Sequence, residues 1–516
     1  MKSYSKLMRS VSTALSRAWH FKWRLERLDV SGDRTGRSPE LEISNSRLQP
    51  DLPASRVDVR GRHRLDHRAV IVLALPLFLS NGVQAFLNIA DTWFAGRIST
   101  DAIAAMGAVY QLIFLFLLLL SGVGIFVQTI VAQTFGGGRK THAARAVWAG
   151  CWSALLTIPL FILIAAAGYS LLAPFNLAAN IEQLALEYWF PRLLGGPFFV
   201  CIWALWSFFN GIGRPQVTLV SAVGIAVLNV AGNELLMFQL GLGMAGAGWA
   251  STVSLMAGAL ILFAVFLSYS ERANFQPFQV WQPRWKDIRQ LFAYGIPVGL
   301  FMVADLVGLA LFQIMQVELG TAEGAATQIV LMLSSTAYLP AIGIGQAGTT
   351  LVGQSIGAGD KRWARHLGNV VIRLTVIYMG VVGVLLLLAR GWLIPLFISP
   401  ADPHAPQVLT FGFAMLWFAI GYQVFYALYI SSIFCLQGAG DVKVPSVLAN
   451  SISWFGFIPL AHVLSFSPGQ GWVSCLPQFG LGVFGGWAAV LVYIVTVGVA
   501  LFWRWRSSAW QRIALH

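Results

Sequence analysis

The residue whose setting points most directly to chemistry is Asp305, an acid inside a long apolar stretch. Fifteen uncharged residues precede it and twelve follow it. Placing an Asp at the centre of a membrane helix costs about 2.5–3.5 kcal/mol, so such an acid usually faces a cavity or a partner. Burial disfavours the ionised carboxylate, which would let Asp305 exchange a proton for a competing cation. The alternative is a structural acid paired with backbone or water.

A second set of polar residues lies at helical spacing in another apolar stretch. Asn229 and Asn233 stand one turn apart, so they share a helix face, and Glu234 follows directly. That face could ligate a cation or hydrogen-bond a neighbouring helix. Asp91 has two readings as well: an interfacial acid that pairs with Arg97, or a member of a polar cavity.

Motifs for other chemistries are missing from the sequence. The glycine runs at 136–140 and 353–361 lack the Gly-x-x-x-x-Gly-Lys-Ser/Thr spacing of a phosphate-binding loop. No Ser/His/Asp set, His-Glu-x-x-His motif or pair of carboxylates at helical spacing within a span supports an enzyme. The four cysteines have no zinc spacing, and they and His462 are interpreted as packing residues. The sequence therefore predicts no enzyme and no cofactor, with an ion gradient as the energy source.

These polar residues need a membrane scaffold to hold them. The chain of 516 residues is 57% hydrophobic and 11% charged, whereas about a quarter of a soluble domain is charged. Its mean hydropathy is +0.70, and the uncharged stretches after residue 68 predict twelve transmembrane helices. This composition excludes a water-soluble globule. The net charge of +13 comes largely from the amino-terminal tail and short loops, which argues against nucleic-acid binding.

Basic residues fix the predicted orientation and boundaries. After residue 68, 16 of the 19 lysines and arginines fall on one side, so the positive-inside rule puts both termini in the cytosol. We expect a disordered basic tail at 1–68, a six-helix lobe at 69–270, a cytosolic linker at 271–290, a second six-helix lobe at 291–503 and a tail at 504–516. The expected location is the cell membrane. If residues 1–25 are instead a transit peptide, it is an organelle membrane.

An internal repeat relates the two lobes. One constant offset superposes the following without a gap: Gly122 on Gly343, Thr129 on Thr350, Gln133 on Gln354, Gly136 on Gly357, and Gln84 on Asp305. Six helices per copy return the chain to its starting side, so both copies face the same way. The predicted fold is an all-α membrane protein with twelve transmembrane helices in two six-helix lobes. The lobes are related by a pseudo-twofold axis along the membrane normal, as in secondary transporters.

From about residue 69 to 504 the sequence resembles the multidrug and toxic compound extrusion (MATE) family. The stretches that carry the resemblance are Asp91-Thr-Trp-Phe-Ala-Gly96, Ala104-Ala105-Met-Gly107, Gly295-Ile-Pro297-Val-Gly299, Leu339-Pro-Ala-Ile-Gly343-Ile-Gly345, Val352-Gly-Gln-Ser-Ile-Gly357-Ala-Gly359-Asp360 and Gly438-Ala-Gly440-Asp441. The resemblance implies a V-shaped pair of six-helix bundles. It also implies export of amphipathic, often cationic compounds in exchange for inward protons or sodium.

The resemblance assigns roles to residues of both lobes. Asp305, ten residues after Gly295, stands where many members have an acidic cation ligand, and Tyr422 matches a tyrosine that joins this site. Tyr426 replaces the acid expected one turn later, which favours protons over sodium, although sodium at Asp305 stays open. In the first lobe the resemblance puts Asp91 and Asn229 in a proton-linked polar cluster. Its usual second acid is replaced here by Asn233, for which neighbouring Glu234 could compensate.

The remaining expectations concern the substrate and partners. The predicted cavity residues are Gln84, Tyr338, Gln423 and Tyr426. A monomer that contacts membrane lipid and a small-molecule substrate, with no nucleic-acid partner, is expected. Two other functions stay open. A flippase for lipid-linked sugars would want a basic cavity, and only Arg192 lies within a span, whereas an exporter of organic acids or secondary metabolites would share every motif.

Overall fold

A computed structural model describes residues 52–57, 63–175, 177–398, 403–473 and 475–513. Most of the tail predicted at 1–68 lies outside these ranges. Its described part forms a short antiparallel hairpin of β1 (Ser55–Val57) and β2 (His63–Leu65). The rest of the described chain is helices joined by turns and short loops.

The first lobe consists of six helical spans. They are α1 (His67–Gly96), α2 (Thr100–Gly136), α3 (Lys140–Leu156 and Ile158–Ala166), α4 (Ala179–Leu194 and Gly196–Gly211), α5 (Pro215–Asn233, continued by a π-helical turn at Glu234–Gln239) and α6 (Gly243–Arg272). Short helical pieces at Gly168–Leu172 and Ala173–Phe175 follow α3. The two halves of α4 are bent by 44°, at a Gly195-Gly196-Pro197 sequence where proline removes a helix hydrogen bond.

The second lobe repeats this pattern. Its spans are α7 (Trp285–Leu319), α8 (Thr321–Gly357), α9 (Lys361–Leu388), α10 (Ala405–Gly438), α11 (Lys443–Ser451, a π-helical turn at Ile452–Phe457, then Ile458–Ser465) and α12 (Gly482–Arg506). Over the described ranges, eleven helices are long and apolar enough to cross a membrane, and the bent α4 makes twelve. The predicted all-α membrane fold is confirmed.

Short segments connect and cap these spans. Arg390–Leu393 and Ile394–Phe397 follow α9, Ala509–Arg512 follows α12, and Pro277–Gln279 lies between the lobes. The linker predicted at 271–290 is hydrogen-bonded to α3. Trp148 Nε1 donates to the Pro277 carbonyl at 3.0 Å, and Trp152 Nε1 donates to the Trp281 carbonyl at 2.8 Å. The segment between the lobes is therefore anchored to the first lobe.

The hairpin is attached to the helices at both of its ends. Asp66 caps α1 by accepting from the backbone N–H groups of Arg68 at 3.0 Å and Ala69 at 3.3 Å, and Arg56 Nε donates to it at 2.7 Å. Burial raises the pKa of Asp66, but the hydrogen bonds from Arg56 and the backbone outweigh it and hold the pKa below its usual range. Trp363 of α9 donates to the Pro53 carbonyl at 2.9 Å.

Each lobe opens with a helix that packs into the other lobe. Val70 and Leu77 of α1 are buried in the hydrophobic core of the second lobe. Leu291 and Val298 of α7 are buried in the core of the first lobe. The repeat aligns Val70 with Leu291 and Leu77 with Val298. The first helix of each lobe therefore packs into the core of the opposite lobe through equivalent positions. Burial of apolar surface between the lobes stabilises their association.

Four hydrogen bonds, three buried and one partly buried, also cross between the lobes, where α2 and α8 end. Gln133 Nε2 donates to the Gly438 carbonyl at 3.0 Å, and Gln354 Nε2 donates to the Gly211 carbonyl at 2.8 Å. One turn away, the hydroxyl of Thr129 donates to the Gln437 carbonyl at 3.0 Å and that of Thr350 to the Asn210 carbonyl at 2.9 Å. We call these four residues, Thr129, Gln133, Thr350 and Gln354, the interlobe latch.

The latch is pseudo-symmetric and needs glycines beside it. Its two threonines are equivalent positions of the repeat, as are its two glutamines. A Cβ added at Gly136 would overlap the Gln354 carbonyl, and one added at Gly357 would overlap the Gln133 carbonyl. Only glycine permits this approach of two backbones. The latch adjoins the basic loops at 137–140 and 358–361, which lie on the side predicted to be cytosolic.

Candidate functional site

Asp305 lies in the middle of α7 with both carboxylate oxygens hydrogen-bonded. Tyr429 of α10 donates its hydroxyl to Oδ2 at 2.9 Å, and Tyr493 of α12 donates to Oδ1 at 2.9 Å. No lysine, arginine or histidine within the described ranges lies at salt-bridge distance of this carboxylate. Two neutral donors lower the cost of a charge there, but they do not neutralise it. Asp305 is thus a carboxylate suited to receive a proton or another cation.

Tyrosines in edge-to-face and tilted contacts extend this site toward α8. The ring of Tyr426 lies 5.5 Å from that of Tyr429 and 5.7 Å from that of Tyr338. Tyr422 lies 6.4 Å from Tyr426, so it belongs to the same aromatic cluster, although the hydrogen bonds to Asp305 come from other tyrosines. Tyr338 and Tyr426 are half-buried. Their faces offer a surface on which a flat cation can stack.

The other two residues predicted for a cavity lie apart from this cluster. Gln423 is 1% exposed and its amide oxygen lies against Gly383 of α9, so it faces protein rather than open space. Gln84, the repeat equivalent of Asp305, lies in α1 and is partly exposed. The first lobe therefore has an amide where the second has its acid.

In the first lobe a chain of hydrogen bonds links Asp91 to the asparagines of α5. Asn233 Nδ2 donates to Asp91 Oδ1 at 2.8 Å and to Asn229 Oδ1 at 3.3 Å. Asn229 Nδ2 in turn donates to the hydroxyl of Ser251 in α6 at 3.2 Å. The structure thus brings together three residues that the sequence analysis singled out, Asp91, Asn229 and Asn233.

Glu234 turns away from this chain. Its carboxylate pairs with Arg97 at 2.6 Å, and both side chains are about two-fifths exposed. The Arg97 guanidinium also lies 4.1 Å from the centre of the Phe238 ring. Arg97 therefore pairs with Glu234 and not with Asp91. The reason is geometric, because Glu234 follows Asn233 and so points about 100° away from it around the helix.

Arg192 of α4 is a further charged group beside Asp91. It lies within electrostatic range of Asp91, and also of Tyr110 of α2 and Tyr188 of α4. Its Nη1 is buried and has no hydrogen-bond partner among the described residues. Asp91, Arg192 and Tyr110 are each half-buried.

Sequence reasoning missed Tyr429, Tyr493, Ser251 and this role of Arg192. Tyr422, Tyr426 and Tyr429 recur at helical spacing, so one face of α10 could have been recognised. Arg192 was visible as a charge within a span. Tyr493 and Ser251 carry no comparable signal, because only tertiary packing brings α12 to α7 and α6 to α5.

The π-helical turns of α5 and α11 adjoin these two acid sites. The first begins directly after Asn233, and the second contains Phe457, whose ring stacks on Tyr493 at 4.8 Å. Such turns are uncommon and frequently mark functional sites, because they displace side chains from regular helical positions. Their placement supports both acid clusters as functional candidates.

The sulfurs of two cysteines, distant in sequence, also meet in the first lobe. Cys151 of α3 and Cys201 of α4 have their Sγ atoms 3.8 Å apart, and both are free thiols. Cys435 is buried against α9, where its sulfur contacts the Gly368 carbonyl. These three cysteines lie within packed helices, as the sequence predicts. Cys475 is exposed, so the interpretation of all four cysteines as packing residues is wrong for Cys475.

Both lobes of the chain match one protein family. Residues 76–235 and 297–462 each match the MatE family, one match per lobe. The chain is 30% identical over 450 residues to a probable multidrug resistance protein NorM of Burkholderia mallei, covering 85% of this chain and 92% of the relative. It is 28% identical over 462 residues to a multidrug resistance protein NorM of Burkholderia vietnamiensis, covering 88% and 96%.

Two solved structures are similar in fold to this chain. A MATE structure in complex with MaL6 has a TM-score of 0.75 at 17% identity, over 86% of this chain and 97% of that one. A MOP superfamily transporter from Pyrococcus furiosus, described as having a binding pocket of reverse polarity, has a TM-score of 0.73 at 17% identity over the same shares. At these identities the likeness concerns the fold alone.

Proposed function

Because this chain belongs to the MatE family of membrane transporters, we propose that it is a secondary active antiporter that exports amphipathic and cationic compounds. It is a transporter and not an enzyme. The relatives named as multidrug resistance proteins support drugs or similar metabolites as substrates. The proposed counter-ion is an inward-moving proton.

One observation carries the proposal: Asp305 is an intramembrane carboxylate that accepts two phenolic hydrogen bonds and has no basic side chain of the described residues at salt-bridge distance. Such a charge is costly in the membrane and is relieved when a proton or a cationic substrate arrives. The two ligands compete, because each neutralises the same carboxylate. Competition of this kind is what exchange requires.

The donor set around Asp305 favours the proton over sodium. Tyr429 and Tyr493 already direct hydroxyl hydrogens at the two carboxylate oxygens. A sodium ion would need those oxygens and several further oxygen ligands, so the hydroxyls would have to rotate away. A proton binds one oxygen with little rearrangement. Asp91, with Asn233 and Asn229, supplies a second carboxylate for proton exchange in the first lobe.

Alternation between the two sides of the membrane is proposed to occur by rocking of the two lobes. The interlobe latch holds the lobes together at the predicted cytosolic side, so access from the cytosol requires these hydrogen bonds to break. A ligand shifts this equilibrium only by its differential affinity for the two states. Protonation of Asp305 or Asp91 must therefore favour the state from which substrate leaves. The cell membrane, with both termini cytosolic, is the proposed location.

Transport by purified protein in proteoliposomes tests the proposal. Exchange of an ethidium-type dye is measured first under an imposed pH gradient and then under an imposed sodium gradient. We expect the pH gradient to drive exchange, and Asp305→Asn to reduce the rate to that of protein-free liposomes. Glu271→Gln is the matched control, because it also removes one carboxylate but lies exposed in the last turn of α6. Normal exchange by Asp305→Asn would refute the assignment of this site.

A further inference from the structure

Arg97, directly after α1, is held by side chains of the kind that bind organic cations. Its guanidinium carbon lies 4.1 Å from the centre of the Phe238 ring, 5.2 Å from that of Trp93 and 5.8 Å from that of Phe94. Its Nη1 donates to Glu234 Oε2 at 2.6 Å. Aromatic faces attract ammonium and guanidinium groups, and a carboxylate beside them adds a charge partner. We call Trp93, Phe94, Glu234 and Phe238 the cation cage.

The cation cage is accessible to a small molecule. The side chains of Arg97 and Glu234 are 38% and 40% exposed, and Trp93 is 60% exposed. Trp93 and Arg97 also line an open groove of about 700 Å³, which is the size of a small-molecule site. One face of α1, from Asn88 to Arg97, forms this groove together with Ile103 of α2.

The cage lies on the opposite side of the membrane from the interlobe latch. Arg97 stands between α1 and α2, where α2 begins, whereas the latch lies where α2 ends. Glu234 and Phe238 both belong to the π-helical turn of α5, so this irregular turn supplies half of the cage. The cage is therefore on the side predicted to face away from the cytosol, where an exported compound leaves.

We propose that the cation cage is an outer subsite for exported organic cations, and that Arg97 fills it between transport events as a tethered competitor. The proposal rests on the export function above and adds a second place at which the substrate binds. Water screens an exposed ion pair such as Arg97 with Glu234, so the pair contributes little stability and a stacking cation can displace Arg97. When the guanidinium returns, it neutralises Glu234, covers the rings and releases the compound to the outside.

Binding of tetraphenylphosphonium to the purified full-length protein tests the proposal. Neutral triphenylphosphine oxide is the uncharged comparison, and dissociation constants are measured by isothermal titration calorimetry. All variants carry Asp305→Asn, so that the acid of the second lobe contributes no charge. Arg97→Gln is measured alone and then combined with Glu234→Gln or with Phe238→Leu.

Arg390→Gln is the matched control, because it removes the same charge from another arginine beside aromatic rings. The Arg390 guanidinium lies 5.7 Å from the centre of the Phe413 ring and 5.5 Å from that of Trp417. No carboxylate of the described residues lies at salt-bridge distance from it. It therefore reproduces the change in net charge without opening a cage.

Arg97→Gln should bind tetraphenylphosphonium more tightly, because the competitor is gone. If Arg97 fills the cage about nine-tenths of the time, the dissociation constant should fall about tenfold. Adding Glu234→Gln or Phe238→Leu should abolish this gain. The dissociation constant of triphenylphosphine oxide should not change, and Arg390→Gln should leave both constants unchanged.

Several results would overturn the proposal. An unchanged constant in Arg97→Gln would make the pair with Glu234 structural only. A gain that persists with Phe238→Leu, or an equal gain in Arg390→Gln, would be an effect of net charge. If Arg97→Gln does not fold, Arg97→Lys decides by the same comparison with a smaller expected gain, because lysine keeps the charge but lacks the stacking plane.

Failure of the export function gives a different result. Wild-type protein would then exchange no dye in proteoliposomes, although the gain in Arg97→Gln is measured without transport. That outcome would overturn the export role and keep the cage as a cation-binding site.

Discussion

Replacing the latch glutamines should loosen the closed contact between the lobes. In Gln133→Ala the Gly438 carbonyl loses its donor, and in Gln354→Ala the Gly211 carbonyl does. Both glutamines act across the interface rather than within their own lobe. The substitutions are therefore expected to destabilise the latched state with little effect on the folding of either lobe.

The magnitude follows from the cost of a buried acceptor without a partner, about 1–3 kcal/mol. That corresponds to a roughly 5- to 150-fold shift of the equilibrium between latched and unlatched states. Because the two bonds are related by the pseudo-twofold axis, the two single variants should give shifts of the same sign and similar size. The double variant should exceed either one.

Pulsed electron paramagnetic resonance measures this equilibrium directly. Spin labels are attached to cysteines introduced at Thr141 and Arg362, equivalent positions of the repeat, one in each lobe. The four native cysteines are replaced beforehand. We expect a longer distance to gain population in each latch variant. Gln279→Ala, at an exposed glutamine of the linker, is the control and should leave the distance distribution unchanged.

An unchanged distribution in the double variant would refute the assignment of these bonds as a latch. So would a gain of equal size in Gln279→Ala, since it would show a general loosening. A gain confined to one of the two single variants would contradict the symmetry of the interface and leave a latch on one side only.

Two further predictions concern the acid site and helix packing. Tyr429→Phe removes one of the two hydrogen-bond donors to Asp305 and should destabilise the ionised carboxylate by about 1.5–3 kcal/mol. The rate of pH-driven exchange should fall at least about tenfold. Tyr422→Phe is the control, because its hydroxyl does not contact Asp305, and it should change this rate less. Gly299→Ala would drive a Cβ into the Leu119 carbonyl of α2 and should destabilise the protein by about 1–3 kcal/mol in thermal unfolding. Gly107→Ala is the control, because an added Cβ meets nothing within 4 Å, and it should leave stability unchanged or raise it. Equal changes in the thermal stability of Gly299→Ala and Gly107→Ala would mean that α2 and α7 are not in close contact.

The fold was open to prediction because its determinants are local or repeated. Apolar stretches of spanning length fix the helices, and basic loops give an orientation. Gln133 and Gln354 were recognised as equivalent from the repeat alone. Their hydrogen bonds to the opposite lobe were not, because the contact depends on how the lobes meet. The bend of α4 and the two π-helical turns likewise depend on packing rather than on the hydrophobic pattern.

The acid sites were predicted in part for the same reason. Asp305 and Asp91 stand out in the sequence as charges in apolar surroundings, and the spacing of Asn229 and Asn233 places both on one face. The hydrogen-bond partners from α12 and α6, Tyr493 and Ser251, lie far away along the chain, so no periodic pattern predicts them. Glu234 shows the opposite error: adjacency in sequence suggested help for Asp91, but a step of one residue turns the side chain toward Arg97.

The two lobes are symmetric where they meet and asymmetric where they hold charge, and this has an electrical consequence. An ionised Asp91 beside Arg192 sums to zero, so moving that pair through the membrane field does no net work. An ionised Asp305 carries a full negative charge, and one charge across 100 mV is worth about 2.3 kcal/mol. The membrane potential should therefore act on the exchanger chiefly through the occupancy of Asp305.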